Sequence, residues 1–253
     1  MARITDLLDY LDGLLEPARF DDYGPNGLQV PGRAEISTVA TGVSAHSELF
    51  TRALDAGADL VLVHHGLFWD GHSRALTPVL AGRLKLLLEA GVGLAAYHLP
   101  LDAHPLVGNN ALIAAGLGAT VDGPFAEHRG APIGVVARFP GDGVPARELF
   151  ERVRELTARE PLRFDAGPER VCSIGIVSGA AAGDLAEAID LGLDAFLTGE
   201  PAEHVMADAR EAGIHFIAAG HYATETFGIR ALGDRLTERF GVRHVALDVP
   251  NPI

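Results

Sequence analysis

The chain has 253 residues, of which 48% are hydrophobic and 30 are glycine. This length is enough for one large α/β domain or two small ones with a sizeable core. The formal net charge of −14 at pH 7 argues against a nucleic-acid partner, because phosphate binding requires clustered Lys and Arg.

Targeting signals and cysteine content favour a cytoplasmic protein. The N-terminal stretch carries Asp6 and Asp9 in a helical pattern and does not resemble a signal peptide. No uncharged apolar run is long enough to span a bilayer. The single cysteine, Cys172, excludes intramolecular disulfides and thiolate-rich zinc sites, and we expect it to be a small core residue. A cytoplasmic protein with neither nucleic-acid nor membrane partners is expected.

The first half of the chain alternates helical and strand patterns. Leucines at helical spacing precede Pro17, and a turn-rich loop with Gly-Pro and Asn-Gly follows. Asn109 and Asn110 are expected to cap a helix that begins near Ala111. The other predicted elements are helices over 3–16, 47–58 and 80–90 and strands over 36–44, 60–63 and 91–97.

The middle of the chain, residues 120–170, is less regular, and we interpret it as a small subdomain or an edge. It contains a strand over 133–139 and a helix over 146–156. From Cys172 onward the first pattern returns, which predicts βαβ units with a parallel sheet. The later elements are strands over 172–179, 194–200, 215–221 and 243–249 and helices over 184–193, 202–213 and 224–240.

The two halves of the chain look duplicated. ALDAGADLVLVHHG in the first half aligns with AIDLGLDAFLTGE in the second, and YHLPLD aligns with GHYATE one strand later. Each half therefore has a histidine at a strand end and a carboxylate four residues on. The pattern predicts an α/β fold of two similar domains with mainly parallel strands, residues 1–125 and 126–253, related by a pseudo-twofold axis.

Polar side chains follow the predicted strands, where open α/β sheets usually bind ligands. His64 and His65 end the run LVLV. Adjacent residues of a strand point to opposite faces of the sheet. His64 and His65 can therefore bind the same target only if the chain bends there, and otherwise they bind two different targets, for which two metal ions would be suitable. The alternative is that neither binds a ligand, one being a hydrogen-bonded core histidine and the other a surface histidine. Imidazoles and carboxylates suit Zn, Fe, Mn, Ni or Co. The candidates are His64, His65, His98, Asp102, His221 and Glu225.

Other residues in the same stretches are weaker candidates. Gly199-Glu200 and His204 are more typical of a helix start and its first turn, and His72, His104 and His215 of surface or supporting positions. Phe68 and Trp69 are interpreted as packing residues, with stacking on a ring such as a nucleobase as the alternative.

Six motifs in order resemble the YbgI-type dinuclear metal centre family, whose members are often called GTP cyclohydrolase I type 2 homologues. They are PNGLQV, VHHGLFW, HLPLDAHPLVGNN, DAFLTGE, AAGHYATE and the terminal DVPNPI, and the match spans essentially the whole chain. The resemblance implies two similar α/β domains, a two-metal site and a ring-shaped homohexamer, a trimer of dimers. The ligands that it implies are His64, His65, Asp102, His221 and Glu225, with Glu225 touching both ions.

Two functions are compatible with these residues. The first is a dinuclear metal hydrolase acting on a small-molecule substrate, with a nucleotide as one candidate, by cyclohydrolase-like C–N or phosphoester hydrolysis. His98 is expected beside the metals, either as a group that supports the ligands or as the proton carrier, and His104 or Tyr222 are the alternative proton carriers. The second is a non-enzymatic metal-binding, metal-handling or assembly protein. Metal-free catalysis by His98 and Asp102 is disfavoured, because it leaves the other strand-end histidines unexplained.

Overall fold

The computed structural model describes residues 1–73 and 75–253, and it has the expected α/β fold. The chain forms two compact units. The first comprises Met1–Leu101 and Gly228–Val249, and the second comprises Asp102–Phe227 and Pro250–Ile253. The chain passes from the first unit to the second at Asp102 and returns to the first at Gly228. The domain boundary expected after residue 125 stays a prediction.

The helices in the described ranges agree with most of the predicted ones. Two short 3₁₀ turns lie at Pro17–Arg19 and Ala182–Asp184. The α-helices are α1 (Ile4–Leu15), α2 (Ser47–Asp55), α3 (Pro78–Ala90), α4 (Leu99–Asp102), α5 (Asn109–Gly116), α6 (Ala146–Thr157), α7 (Leu185–Asp190), α8 (Val205–Ala212), α9 (His221–Thr224) and α10 (Thr226–Phe240).

The strands alternate with these helices over much of the chain. They are β1 (Ala2–Arg3), β2 (Gly27–Val30), β3 (Glu35–Ile36), β4 (Thr38–Ser44), β5 (Leu60–His65), β6 (Gly93–Ala96), β7 (Thr120–His128), β8 (Ala131–Arg138), β9 (Val144–Pro145), β10 (Leu162–Phe164), β11 (Arg170–Val171), β12 (Ser173–Ile176), β13 (Ala195–Thr198), β14 (His215–Ala218) and β15 (Arg243–Ala246).

The main sheet of the first unit has the strand order β15-β4-β5-β6-β2. Its first four strands are parallel, and β2 is antiparallel to β6. The strand Leu60–His65 is buried on both faces up to His64, which explains its continuous aliphatic run. Helices α2 and α3 cover one side of this sheet through an apolar cluster that includes Phe50 and Leu87.

The main sheet of the second unit has the order β10-β14-β13-β12-β8-β7. Strands β12, β13 and β14 are parallel, whereas β10, β8 and β7 are antiparallel to their neighbours. The middle of the chain is thus the edge hairpin β7–β8 together with α6, whose buried Leu149 and Phe150 join the core of this unit.

Local sequence signals fix several boundaries. Helix α1 buries Leu7, Leu11 and Leu15 and ends where Glu16 adopts a left-handed conformation before Pro17. In α3, the Thr77 side chain caps the first turn by accepting from the Leu80 amide. The helices predicted over 3–16 and 80–90 are thus observed close to these bounds.

Some local predictions were wrong. Cys172 is exposed rather than a core residue and lies just before β12. Only its backbone is held there, because its amide donates to Asp194 and its carbonyl accepts from the Phe139 amide. Asn109 and Asn110 do not cap a helix. The helix α5 begins at Asn109 itself, after Gly108, and both amide side chains are buried. Strands β2 and β10 were not predicted, because each is short and lies at a sheet edge.

Among residues 1–73 and 75–253, no helix is long and apolar enough to cross a membrane.

Candidate metal centre

The first unit brings three imidazoles together at one edge of its sheet. His64 and His65 end β5, and His98 follows β6 by two residues. The His64 ring centroid lies 4.8 Å from that of His65 and 5.0 Å from that of His98, and the His65 and His98 centroids are 5.5 Å apart. One ring nitrogen from each residue lies within 4.8 Å of the others. This grouping can hold a metal ion.

Each imidazole is oriented by a partner on its Nδ1 atom. Nδ1 of His64 donates to the Tyr97 carbonyl at 2.9 Å, and Nδ1 of His65 lies 3.1 Å from the Ser44 hydroxyl. A ring whose Nδ1 carries the proton has its lone pair on Nε2, which is the form that binds a metal. For His64 the carbonyl acceptor therefore fixes the tautomer that a ligand requires.

His98 is held by the buried carboxylate of Asp22. Nδ1 of His98 donates to Asp22 Oδ1 at 2.7 Å, and the Asp22 side chain is 3% exposed. The carboxylate also accepts from the amides of Tyr23 and Leu99 and from Asn26 Nδ2. Burial raises the pKa of Asp22, but the hydrogen bonds, led by that from His98, outweigh it and hold the pKa below its usual value.

A small recess opens beside the imidazoles in the first unit. Its walls include Asn26, Trp69 and His98. The Trp69 ring stands nearly perpendicular to the His98 ring at 5.1 Å, and its Nε1 donates to the Gly66 carbonyl. Gly24 is required here, because a Cβ atom on it would lie 2.3 Å from the Phe68 carbonyl oxygen. The two loops that line the recess are therefore packed tightly.

The second unit groups a histidine with two carboxylates. His221 begins α9, and its Nδ1 atom is hydrogen-bonded to Glu200, which follows β13. Its Nε2 atom lies 3.2 Å from Glu225 Oε1, and the Glu225 side chain is 3% exposed. Burial lowers the pKa of His221, but the hydrogen bonds and charges of Glu225 and Glu200 outweigh it and raise the pKa to about 9.

Gly179 makes room for these two side chains. Its φ is +71°, a conformation that favours glycine. A Cβ atom at this position would lie 2.5 Å from Glu225 Oε1 and 3.4 Å from His221 Nε2. The Gly179 amide donates to Thr224 Oγ1 at 3.1 Å, which ties this turn to α9.

Asp102 is buried in the second unit and is also oriented by neighbours. Its Oδ1 atom accepts from Asn109 Nδ2 at 2.8 Å and from Ser178 Oγ at 2.9 Å. The Asn110 side chain accepts from the Ser178 amide and donates to the Ile133 carbonyl. The asparagines expected to cap a helix instead fix Asp102 and the turn that leads to Gly179.

A known protein family shares the sequence pattern of nearly the whole chain. The sequence profile of the Duf34/NIF3 family (NGG1p interacting factor 3) matches residues 2–252. The chain belongs to this family. The resemblance indicated by the six motifs is thereby confirmed.

Relatives of the family align over nearly the whole chain. A Pseudomonas aeruginosa protein named GTP cyclohydrolase 1 type 2 homolog is 44% identical over 249 residues, 98% of each chain. The solved structure of protein ybgI, described as of unknown function, has a TM-score of 0.93 and 41% identity, covering all of both chains. That of TTHA1606 from Thermus thermophilus has a TM-score of 0.89 and 37% identity, again covering both chains fully.

Within this family member, the sequence located the candidate ligands but missed their supports. Asp22 lay in a stretch interpreted as a turn-rich loop, although a carboxylate beside Gly-Pro and Asn-Gly was visible there. Glu200 was interpreted as part of a helix start, and its pairing with His221 is a long-range contact. His104 accepts from the amides of Leu106 and Val107, so it has a role in a turn.

Proposed function

We propose that this family member is a dinuclear metal hydrolase. The donor set of imidazoles and carboxylates suits divalent mid-series ions, including Zn, Fe, Mn, Ni and Co. The proposed metal ligands are His64, His65, Asp102, His221 and Glu225.

The convergence of strand-end imidazoles in the first unit carries this proposal. His64 has its Nδ1 proton held by the Tyr97 carbonyl, and its ring lies beside those of His65 and His98. A carbonyl or carboxylate behind an imidazole is typical of metal-binding histidines.

The second unit fits the same chemistry. Gly179 leaves a space beside the Glu225 carboxylate and His221 Nε2 that a Cβ atom at this position would fill. Glu200 orients the His221 ring from behind, and Ser178 with Asn109 orients Asp102. Each proposed ligand in this unit is therefore pre-oriented or given space by neighbouring residues.

When bound, two metal ions would lower the pKa of a water molecule towards about 7 and polarise the substrate bond. The residues of the chain then have distinct tasks. His64 and His65 present imidazole nitrogens, and Asp102 and Glu225 supply carboxylate oxygens. His98, held by Asp22 beside the two imidazoles, transfers a proton to the leaving group.

The substrate class is proposed from the names of relatives. Those proteins are called GTP cyclohydrolase 1 type 2 homologs, which favours a small molecule and makes a nucleotide the first candidate. The homohexamer and the cytoplasmic location stay predictions.

The deciding experiment is metal content per chain, together with turnover, for protein purified without added metal. Wild type is compared with Glu225→Gln, and Glu203→Gln, an exposed glutamate, is the matched control. We expect about two ions per chain in wild type and control, and fewer in Glu225→Gln. Hydrolysis of GTP or of an activated phosphodiester should fall more than about 100-fold in that variant, beyond the 10–100-fold typical of losing a group behind a ligand.

Each outcome has a definite meaning. Undiminished turnover in Glu225→Gln would overturn the ligand assignment. One ion or none in the folded wild type would remove the dinuclear site. Two ions without hydrolysis of either probe would favour the metal-handling function over the enzyme.

A further inference from the structure

The loop of residues 21–30 holds His98 at more than one point. Asp22 accepts from the Nδ1 atom of His98 at 2.7 Å, and Asn26 Oδ1 accepts from the backbone amide of His98 at 2.8 Å. Asn26 Nδ2 in turn donates to Asp22 at 2.8 Å. The loop therefore fixes the backbone of His98 through Asn26 and its ring through Asp22.

The burial of Asp22 requires an explanation, because a carboxylate is costly to remove from water. Both neighbours of Asp22 in sequence, Asp21 and Tyr23, are exposed, whereas the Asp22 side chain is 3% exposed. Donors satisfy both of its oxygens. Tyr23 N and His98 Nδ1 donate to Oδ1, and Asn26 Nδ2 and Leu99 N donate to Oδ2. A buried side chain at this position must therefore accept hydrogen bonds at two atoms, as a carboxylate does.

We propose that Asp22 is a positioning residue that fixes the ring tautomer of His98 and directs its Nε2 atom towards His64 and His65. This inference rests on the proposed role of His98 as the proton carrier. With the Nδ1 proton given to Asp22, Nε2 is the nitrogen through which His98 exchanges a proton with a substrate. The perpendicular Trp69 ring at 5.1 Å limits rotation of the imidazole.

The substitution Asp22→Asn tests this assignment, because it keeps the shape of the side chain and replaces one acceptor oxygen by a donor. If the new amide nitrogen replaced Oδ2, this donor would face two other donors, Leu99 N and Asn26 Nδ2. Rotating the Asn26 amide would remove the second conflict, but it would also take the Oδ1 acceptor away from His98 N. With the nitrogen in place of Oδ1, a fixed conflict arises only with the exposed Tyr23 amide, and His98 can adapt by moving its proton to Nε2. We therefore expect the second arrangement.

The measurement is ¹⁵N NMR of the full chain labelled at its histidine ring nitrogens, with His98→Gln used to assign the His98 signals. We expect a protonated Nδ1 in wild type and a protonated Nε2 in Asp22→Asn. Asp21→Asn makes the same charge change at an exposed neighbour, and Asn26→Ala loosens the loop without removing the Asp22 carboxylate. Both controls should keep the wild-type tautomer.

Metal content and kinetics are measured on the same variants. Asp22→Asn should keep the wild-type metal content and lower kcat by about 10–100-fold with little change in KM, which is the scale for losing a group behind a functional imidazole. Asn26→Ala should lower the free energy of unfolding, and it should lower kcat less than Asp22→Asn does.

Several results would overturn the proposal. An unchanged His98 tautomer in Asp22→Asn would show that the carboxylate only supports the loop, and the same would follow if Asn26→Ala also switched the tautomer. Loss of metal in Asp22→Asn would make His98 a ligand. If wild type bound no metal, the proposed hydrolase would fail, whereas the NMR result would still decide what Asp22 does to His98.

Discussion

The first unit orders its strands β4, β5, β6 and β2, and the second orders β12, β13, β14 and β10 in the same way, with three parallel strands and one antiparallel edge. An aspartate precedes the central strand of each. Asp59 accepts from the amides of Ser37 and Thr38, and Asp194 accepts from the amides of Cys172 and Ser173. The similarity between the two units therefore includes the order of four strands and individual hydrogen bonds, and we call this shared arrangement the frame.

The strand ends differ in chemistry. When Asp59 is matched with Asp194, the pair His64-His65 corresponds to Gly199-Glu200. The Tyr97 amide bonds to Val63 O as the Ala219 amide bonds to Thr198 O, so His98 corresponds to Gly220 and His221 to Leu99. The alignment of YHLPLD with GHYATE is thus displaced by one residue from the sheet register. The two units thus share a strand order and its hydrogen bonds, but the strand ends of the first carry imidazoles and those of the second carry carboxylates.

The sharpest test of this comparison removes the partner behind one histidine in each unit. Glu200→Gln takes a charge from behind His221, and Ser44→Ala takes a neutral hydroxyl from behind His65. Because a charged acceptor strengthens an imidazole ligand more than a neutral one, we expect metal affinity to fall about 10–100-fold in Glu200→Gln and less than about tenfold in Ser44→Ala. Calorimetric titration with zinc measures both, and equal losses would contradict the distinction between the two edges.

A smaller effect is expected from the duplicated aspartates. Asp59→Asn and Asp194→Asn each remove the charge from a carboxylate that accepts two backbone amides at one oxygen. Each should lower the free energy of unfolding by about 1–2 kcal/mol, because hydrogen bonds to charged groups are the stronger ones. Urea unfolding followed by circular dichroism measures this loss, with Asp21→Asn as the exposed control. A loss at one site alone would show that the frames are not energetically equivalent.

The smallest effect is the pH dependence of stability that arises from His221 in the second unit. The pKa of His221 is raised to about 9 in the folded chain, above the value of about 6.5 expected when unfolded. The stabilisation is therefore complete below about pH 6.5 and is lost as the pH rises through about 9. In the presence of a chelator we expect the free energy of unfolding to fall by about 1 kcal/mol between pH 7 and pH 8 from this group.

The matched variant for this measurement is Glu200→Gln, which removes one of the two charges that raise the pKa of His221. Its stability should fall less over the same pH interval. A wild-type protein whose stability did not depend on pH in this range would rule out a proton held by His221 in the folded chain.

Features that depend on interactions between residues close in sequence were predicted, and those that depend on residues far apart in sequence were not. Periodicity is local, so α1, α2, α3 and α6 and the buried strand β5 were all predicted close to their observed bounds. The histidines at strand ends were found for the same reason, because a run of aliphatic residues followed by His64-His65 is visible in a single short stretch of sequence.

The supports of the candidate site could not be found in this way. Asp22 lies 76 residues from His98, and Glu200 lies 21 residues from His221 across a helix and a strand. Which carboxylate stands behind which imidazole depends on loop packing, such as the contact of Gly24 with the Phe68 carbonyl, and no period in the sequence reports it. The roles of Asn109 and Asn110 were misjudged because a helix start and a buried amide network use the same residue type.

The position of β15 has a consequence for how the protein is made. This strand pairs in parallel with β4 in the sheet of the first unit, although it is formed by residues 243–246. On the ribosome, the residues of the second unit up to Phe227 therefore emerge before the sheet of the first unit can receive its edge strand. Until then β4 exposes a free edge beside the strand that carries His64 and His65, which is a site for mispairing with other nascent chains. Until residues 243–246 have left the ribosome, this protein should thus be more prone to aggregation than after β15 has paired with β4.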